Sequence, residues 1–194
     1  MNIDIVYLWV DGNDPVWRAK KEAFEQGMSY NTSEALAEAR FVDNDELKYS
    51  LRSIEQFAPW IHHIYIVTDG QVPSWIDLTN ERISIIDHTE IMPREALPSF
   101  SSTAIEWCID NIPGLSEYFL LANDDTFIGR EATPMDFYTL DGYPIVRLRK
   151  RHKSKKSAET QYMKTLFKSQ KVIEKMFGQN YSYIPHHNID AYRL

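Results

Sequence analysis

Acidic residues recur where the apolar runs of this chain stop. Asp11-Gly12 follows IDIVYLWV (residues 3–10), Asp69-Gly70 closes HHIYIVTDG, and Asn123-Asp124-Asp125 follows YFLLA. Adjacent carboxylates repel one another unless a cation lies between or near them. Hard oxygen donors suit Mg²⁺ or Mn²⁺, ions that bridge protein carboxylates to substrate phosphates. Against this stands a plain turn, because Asn and Asp are good turn formers; for Asn123-Asp124-Asp125 both readings stay open. Asp11-Gly12 and Asp69-Gly70 by themselves favour the turn, with Gly12 free to let the backbone approach a ligand closely.

Other residue types add possibilities. Asp43, Asn44, Asp45 and Glu46 open a helix, where acids favour the helix dipole and Asp43 with Glu46 resembles a capping box. Arg52 lies inside that helix, as a solvated side chain or as one aimed at a diphosphate. His186-His187 follows Ile184-Pro185 and offers an acid, a base or a ligand, although such a pair is more often surface decoration. Residues 147–156, RLRKRHKSKK, are basic with no acid. That suits a mobile solvated loop equally with an anionic partner: a nucleotide diphosphate, an anionic glycan or lipid headgroups at a membrane surface.

Strands and helices must bring these groups together. Residues 3–10 are β-branched and aromatic with almost no polar break, as in a buried strand. In 43–58 the residues Leu47, Leu51, Ile54 and Ala58 share one helical face, and Pro59 stops the run. Residues 62–70, 82–88 and 117–129 read as further strands, with another over 143–149. Residues 15–26, 33–39, 102–112 (capped by Thr103 and Glu106) and 158–177 read as helices, the last ending at Gly178. Alternation of this kind predicts an α/β fold, a doubly wound, mostly parallel sheet flanked by helices. Ligands in such sheets bind beyond the carboxyl ends of the strands, where Asp11, Asp69 and the Asp124-Asp125 pair would lie.

The 194 residues suffice for one full α/β domain. A net charge of -7 argues against a nucleic-acid binder. The single cysteine, Cys108, has no internal disulfide partner and suits a reducing compartment. The N-terminus lacks the pattern of a signal peptide, and no apolar run is long enough to span a bilayer. The expectation is a cytoplasmic protein, with residues 147–156 available for contact with the inner face of the membrane.

Taken in order, two stretches resemble the Stealth family of sugar-1-phosphate transferases. IDIVYLWVDGNDPVW is similar to that family's first conserved region. FVDNDELKYSLRSIEQFAPWIHHIYIVTDGQVPSWID and LPSFSSTAIEWCIDNIPGLSEYFLLANDDTFIGREATPMDFY are similar to its second. The resemblance runs nearly continuously from about residue 3 to residue 138 and implies a Rossmann-like core over residues 1–146. Residues 147–194 then hold the basic segment, a helix and the start of a third conserved region at YIPHHNIDAY. By resemblance the chain departs from the family at Leu194, as a fragment, a truncated product or a compact variant would.

The resemblance also implies a reaction. A hexose-1-phosphate passes from a UDP-sugar to a hydroxyl of an oligosaccharide or polysaccharide acceptor, UMP leaves, and Mg²⁺ or Mn²⁺ assists. Position by position it implies Asp124 and Asp125 as metal ligands and Asp125, Asp11 and His187 as catalytic residues. Arg52 is implied as a substrate-binding residue, and Asn123, Gly12 and Asp69, read from their places at the strand ends, are further substrate-binding candidates. The alternatives are a glycosyltransferase, which would release UDP instead of UMP, and a non-catalytic module that binds nucleotide-sugar or glycan.

Overall fold

The computed structural model describes residues 1–27, 41–150, 168, 171–172, 174–178, 183–185 and 189–194. They fall into two units, Met1–Ile145 with Asn188–Leu194, and Val146–His187.

The first unit is built on five strands in the order β3-β2-β1-β4-β7. β1 (Ile3–Leu8), β2 (Ile64–Thr68), β3 (Ile83–Asp87) and β4 (Tyr118–Asn123) run parallel, and β7 (Asp190–Arg193) pairs antiparallel with β4. Side chains of a strand alternate between the two faces of the sheet, and here both faces are covered. Ile3, Ile5, Tyr7, Ile64, Ile66, Leu120 and Ala122 form one core with Leu47 and Ile54 of helix α2 (Glu46–Phe57). Val6, Tyr65, Val67 and Phe119 form the other core. It is closed by Ile91 of α3 (His88–Ile91) and Ile105 of α4 (Ser102–Glu106). A sheet packed on both faces explains why β1 reads as an apolar run broken only by Asp4, whose carboxylate meets His62 Nδ1 and accepts from the Ser116 N–H. Helix α1 (Pro15–Gln26) is capped by Asp14, whose side chain accepts from the Val16 N–H, and its Trp17 is buried.

The α/β, mostly parallel architecture expected from the sequence is present, with several elements shorter than read. The α2 helix begins at Glu46, not Asp43. Its N-cap is Asp45, held in the left-handed region at φ 66° with no side-chain cap, so the expected capping box does not form. Glu46 turns back to the backbone N–H and side-chain amide of Asn44 instead. The helix expected over 102–112 breaks after Glu106 and resumes as a 3-10 turn, Ile109–Asn111, and its cap is Ser101. The strand ending in Asn123-Asp124-Asp125 stops at Asn123. The expected strand 143–149 is represented by β5 (Leu148–Lys150), paired antiparallel with β6 (Tyr183–Pro185) in the second unit. The helix expected over 33–39 lies outside the described residues. Within 158–177, Lys168, Lys171–Val172 and Glu174–Phe177 are helical, and Gly178 at φ +66° donates its N–H to the Glu174 carbonyl. β7 follows the basic segment in sequence but belongs with the first unit, because its backbone completes the edge of β4.

Candidate active site

In the order β3-β2-β1-β4 the chain direction of winding reverses between β1 and β4, and the crevice beyond their carboxyl ends is the ligand position of doubly wound sheets. Leu8 and Asn123 are register partners at those ends. Asp11 therefore leaves β1, and Asp124-Asp125 leaves β4, on the same edge of the sheet. The N-terminus of α2 reaches this edge too: Ser50 donates to the Thr126 carbonyl at 2.6 Å and Ser53 accepts from the Ile128 N–H at 3.0 Å. Ser50 also accepts from the buried Tyr7 hydroxyl at 2.8 Å. This network fixes the 124–128 turn against α2 and β1.

The acids at this edge are coupled. Burial, then repulsion from Asp125 and more distantly Glu46, pushes the Asp124 carboxyl up to about 6. Asp43 is also raised, chiefly by burial, with Asp11 and Glu46 adding repulsion. The indole N–H of Trp9 draws Asp43 back somewhat without closing to a hydrogen bond. Asp11, Asp43, Glu46, Asp124 and Asp125 thus form a continuous region of negative potential, and a cation placed there would relieve it. Among the described residues no three acidic, His or Cys side chains converge as a ready-made metal cage. The donor set fits an ion that takes one or two protein carboxylates and completes its shell with substrate phosphate and water, as Mg²⁺ does.

A cleft of about 490 Å³ opens beside Asp11, walled by Trp9, Asp43, Asp45 and the Gly70–Trp75 loop. Gln71, buried, ties its two walls together. Its Oε1 accepts from the Asp11 N–H at 2.9 Å, and its Nε2 donates to the Asp11 carbonyl at 3.0 Å and to Asp14 Oδ2 at 2.9 Å. Sequence reasoning missed Gln71, because nothing in a lone Gln after Asp-Gly marks a bridge to a residue sixty positions earlier. It missed Asp43 as a member of the acid group for a similar reason, having read it as a helix cap.

The residues singled out from sequence separate in space. Asp11, Asn123, Asp124 and Asp125 share the edge just described. Gly12 is beside Asp11, but the group that comes close to it is the chain itself: its N–H donates to the Phe41 carbonyl at 2.8 Å, and a Cβ there would stand 1.9 Å from that oxygen. Asp69 also follows a strand end, yet its side chain is only 5% exposed and paired with Lys20 of α1; in this conformation it faces the protein rather than the cleft. Arg52 lines a different recess, floored by Ile64 and Ile83, the first residues of β2 and β3. Arg52 and Ser53 are adjacent in the second turn of α2 but serve different sides of the helix: Ser53 meets Ile128, whereas Arg52 lines the recess. His187 lies outside the described residues, as do 151–156 of the basic segment. No described helix is long and apolar enough to cross a membrane.

A family model described as Stealth protein CR2, conserved region 2, matches residues 40–146, and one described as Stealth protein CR1, conserved region 1, matches residues 1–29. The chain is 48% identical over 143 residues to an exopolysaccharide phosphotransferase, cps2G, of Lactiplantibacillus plantarum, covering 74% of this chain and 41% of the relative. It is 50% identical over 141 residues to an exopolysaccharide phosphotransferase of Streptomyces coelicolor, covering 72% and 24%. It is 43% identical over 142 residues to the capsular polysaccharide phosphotransferase WcwK of Streptococcus pneumoniae, covering 73% and 43%. The chain therefore spans less than half the length of these relatives.

Proposed function

Because this chain belongs to the Stealth family, we propose that it carries the donor-binding core of a sugar-1-phosphate transferase that makes phosphodiester-linked capsular polysaccharide or exopolysaccharide. The donor is a UDP-sugar and the acceptor a hydroxyl of an oligosaccharide or polysaccharide. The observation that carries this reading is the acid group at the β1/β4 crevice, whose Asp124 is pushed up to about 6 by burial and by its neighbours.

A pyrophosphate brought to that crevice meets carboxylates and is repelled unless a divalent ion accompanies it. Asp125 and Asp124 would hold the ion, Mg²⁺ or Mn²⁺, which when bound neutralises the diphosphate and the departing UMP. Asp11, oriented by Gln71 and by the Asn13 N–H on its Oδ1 at 2.8 Å, faces the donor from the opposite wall. Asn123 at the end of β4 and the backbone beside Gly12 border the same place. The acceptor oxygen attacks the sugar-bearing phosphorus, the bond to the UMP oxygen breaks, and the acceptor's proton leaves to a base. Resemblance assigns that base to His187. Positioning and charge neutralisation supply most of the acceleration in phosphoryl transfer. We further propose that the protein works on the cytoplasmic side, where UDP-sugars are made, at or near the inner face of the membrane.

The test is incubation of the chain with a panel of UDP-sugars, Mg²⁺ or Mn²⁺ and oligosaccharide acceptors, followed by phosphorus NMR. A new phosphodiester resonance with UMP release supports the reading. UDP release shows a glycosyltransferase, and UDP-sugar binding without release shows a binding module. Asp125→Ala should abolish UMP release and divalent-ion-dependent donor binding with little change in fold; retention of both would remove the ion from Asp125.

A further inference from the structure

Next to the acid-lined cleft lies a second recess of about 290 Å³. The two share one wall, the half-buried Trp75. The chemistry reverses across that indole. The first cleft is acidic, whereas the recess has an apolar floor containing Ile54, Ile64 and Ile83 and carries Lys48, Arg52 and Arg82 against one acid, Glu55. Such a local excess of cations runs counter to the net charge of -7 of the whole chain.

The cations are not spent on one another's counter-charges. Lys48 Nζ lies 5.9 Å from the centre of the Trp75 ring, and the Arg52 guanidinium lies 5.5 Å from that of Tyr49. Neither makes an ion pair among the described residues. A ring face holds a cation in place while leaving its N–H groups open to an incoming anion. Arg82 is partly committed, since it donates to the Ile61 carbonyl. An aromatic wall, an apolar floor and a few converging cations are the makings of a site for a ligand with a flat apolar side and an anionic group.

We propose that this recess is a subsite for the acceptor glycan, in which Lys48 and Arg52 take the phosphodiester of a unit added earlier while Trp75 and the apolar floor pack against a sugar ring. The inference rests on the proposed function, because a reaction that makes phosphodiesters yields an acceptor that already carries one. The growing end would cross Trp75 into the acid-lined cleft with its last diester held behind it.

Calorimetric titration of the chain in Mg²⁺ buffer tests this with four probes. These are two N-acetylglucosamine rings joined by a 1→6 phosphodiester, the same rings joined by an ordinary glycosidic bond, inorganic phosphate, and UDP-N-acetylglucosamine. The diester should bind at least tenfold more tightly than the neutral disaccharide or inorganic phosphate. The double variant K48Q/R52Q should lose that preference while its melting temperature and UDP-N-acetylglucosamine affinity hold. In the unsubstituted chain, raising the salt concentration should weaken the diester and leave the neutral disaccharide unchanged. Equal binding of the two disaccharides, equal binding of inorganic phosphate, or a preference that survives the double variant overturns the proposal. Loss of UDP-N-acetylglucosamine affinity in that variant also overturns it, by returning Arg52 to the donor. Diester binding that depends on Lys48 and Arg52 in a chain that ignores UDP-N-acetylglucosamine supports the recess and overturns the donor reading of the β1/β4 crevice.

Discussion

Asp124 is the residue on which charge and folding are most directly linked. Its carboxyl lies at about 6 in the folded chain against about 3.9 unfolded. The folded state therefore holds a proton that the unfolded state has lost, and this favourable contribution is full below about pH 4 and gone as pH rises through about 6. Asp124→Asn should consequently stabilise the protein at pH 8 by up to about 3 kcal/mol, with the gain vanishing near pH 4, as read from urea midpoints across pH. The same proton competes with a cation. Mg²⁺ should raise the melting temperature at pH 8 more than at pH 5.5, and a flat response across that interval would separate Asp124 from ion binding. His88 has the opposite sign. Burial holds it below the usual histidine range, with Asp69 and Asp87 only partly restoring it. Its contribution is present above about pH 6.5 and is lost as pH falls through the lowered value.

At the scale of elements, the 124–128 turn depends on a helix that is remote in sequence. Ser50 accepts from Tyr7 and donates to Thr126. Ser50→Ala leaves a buried hydroxyl and a carbonyl without partners and should cost about 1–3 kcal/mol, more than Tyr7→Phe, which removes a donor and keeps the Ser50–Thr126 bond. Donor affinity should fall with Ser50→Ala, because Asp124 and Asp125 ride on that turn. Gly12→Ala is a stronger change. Its new methyl meets the Phe41 carbonyl, so the loops bearing Asp11 and Asp43 must separate. A loss of at least about 2 kcal/mol in denaturant unfolding is expected. The sequence suggested that Gly12 lets the backbone approach a ligand closely; the group that comes close in the fold is the Phe41 carbonyl, a contact no local pattern contains.

Across the whole molecule, the last strand is fastened by a side chain from far upstream. The Tyr138 hydroxyl faces the Phe119 and Tyr192 carbonyls at 2.8 and 2.9 Å, and Phe119 and Tyr192 stack at 5.3 Å. Tyr138→Phe should speed amide exchange in residues 190–193 while leaving β1 and β2 protected; uniform acceleration would show instead that β7 opens only with the whole sheet. The sheet itself was legible in advance, since residues that alternate between two covered faces are mostly apolar on both, and β1, β2 and β4 are, with Asp4 of β1 the buried exception. The positions of Asp11, Asp69 and Asp124-Asp125 at strand ends followed from the same pattern, because a buried acid within such a strand needs partners, as Asp4 in β1 finds in His62 and the Ser116 N–H. What the linear pattern does not contain is distance across the sheet. Only the order β3-β2-β1-β4 sets Asp11 beside the Asp124 turn, only the packing of α1 turns Asp69 inward onto Lys20, and only the side of α2 on which it stands puts Arg52 in the neighbouring recess. Local propensity is decided by neighbours in sequence, whereas a site is decided by neighbours in space, and in a parallel sheet a crossover of tens of residues separates the two.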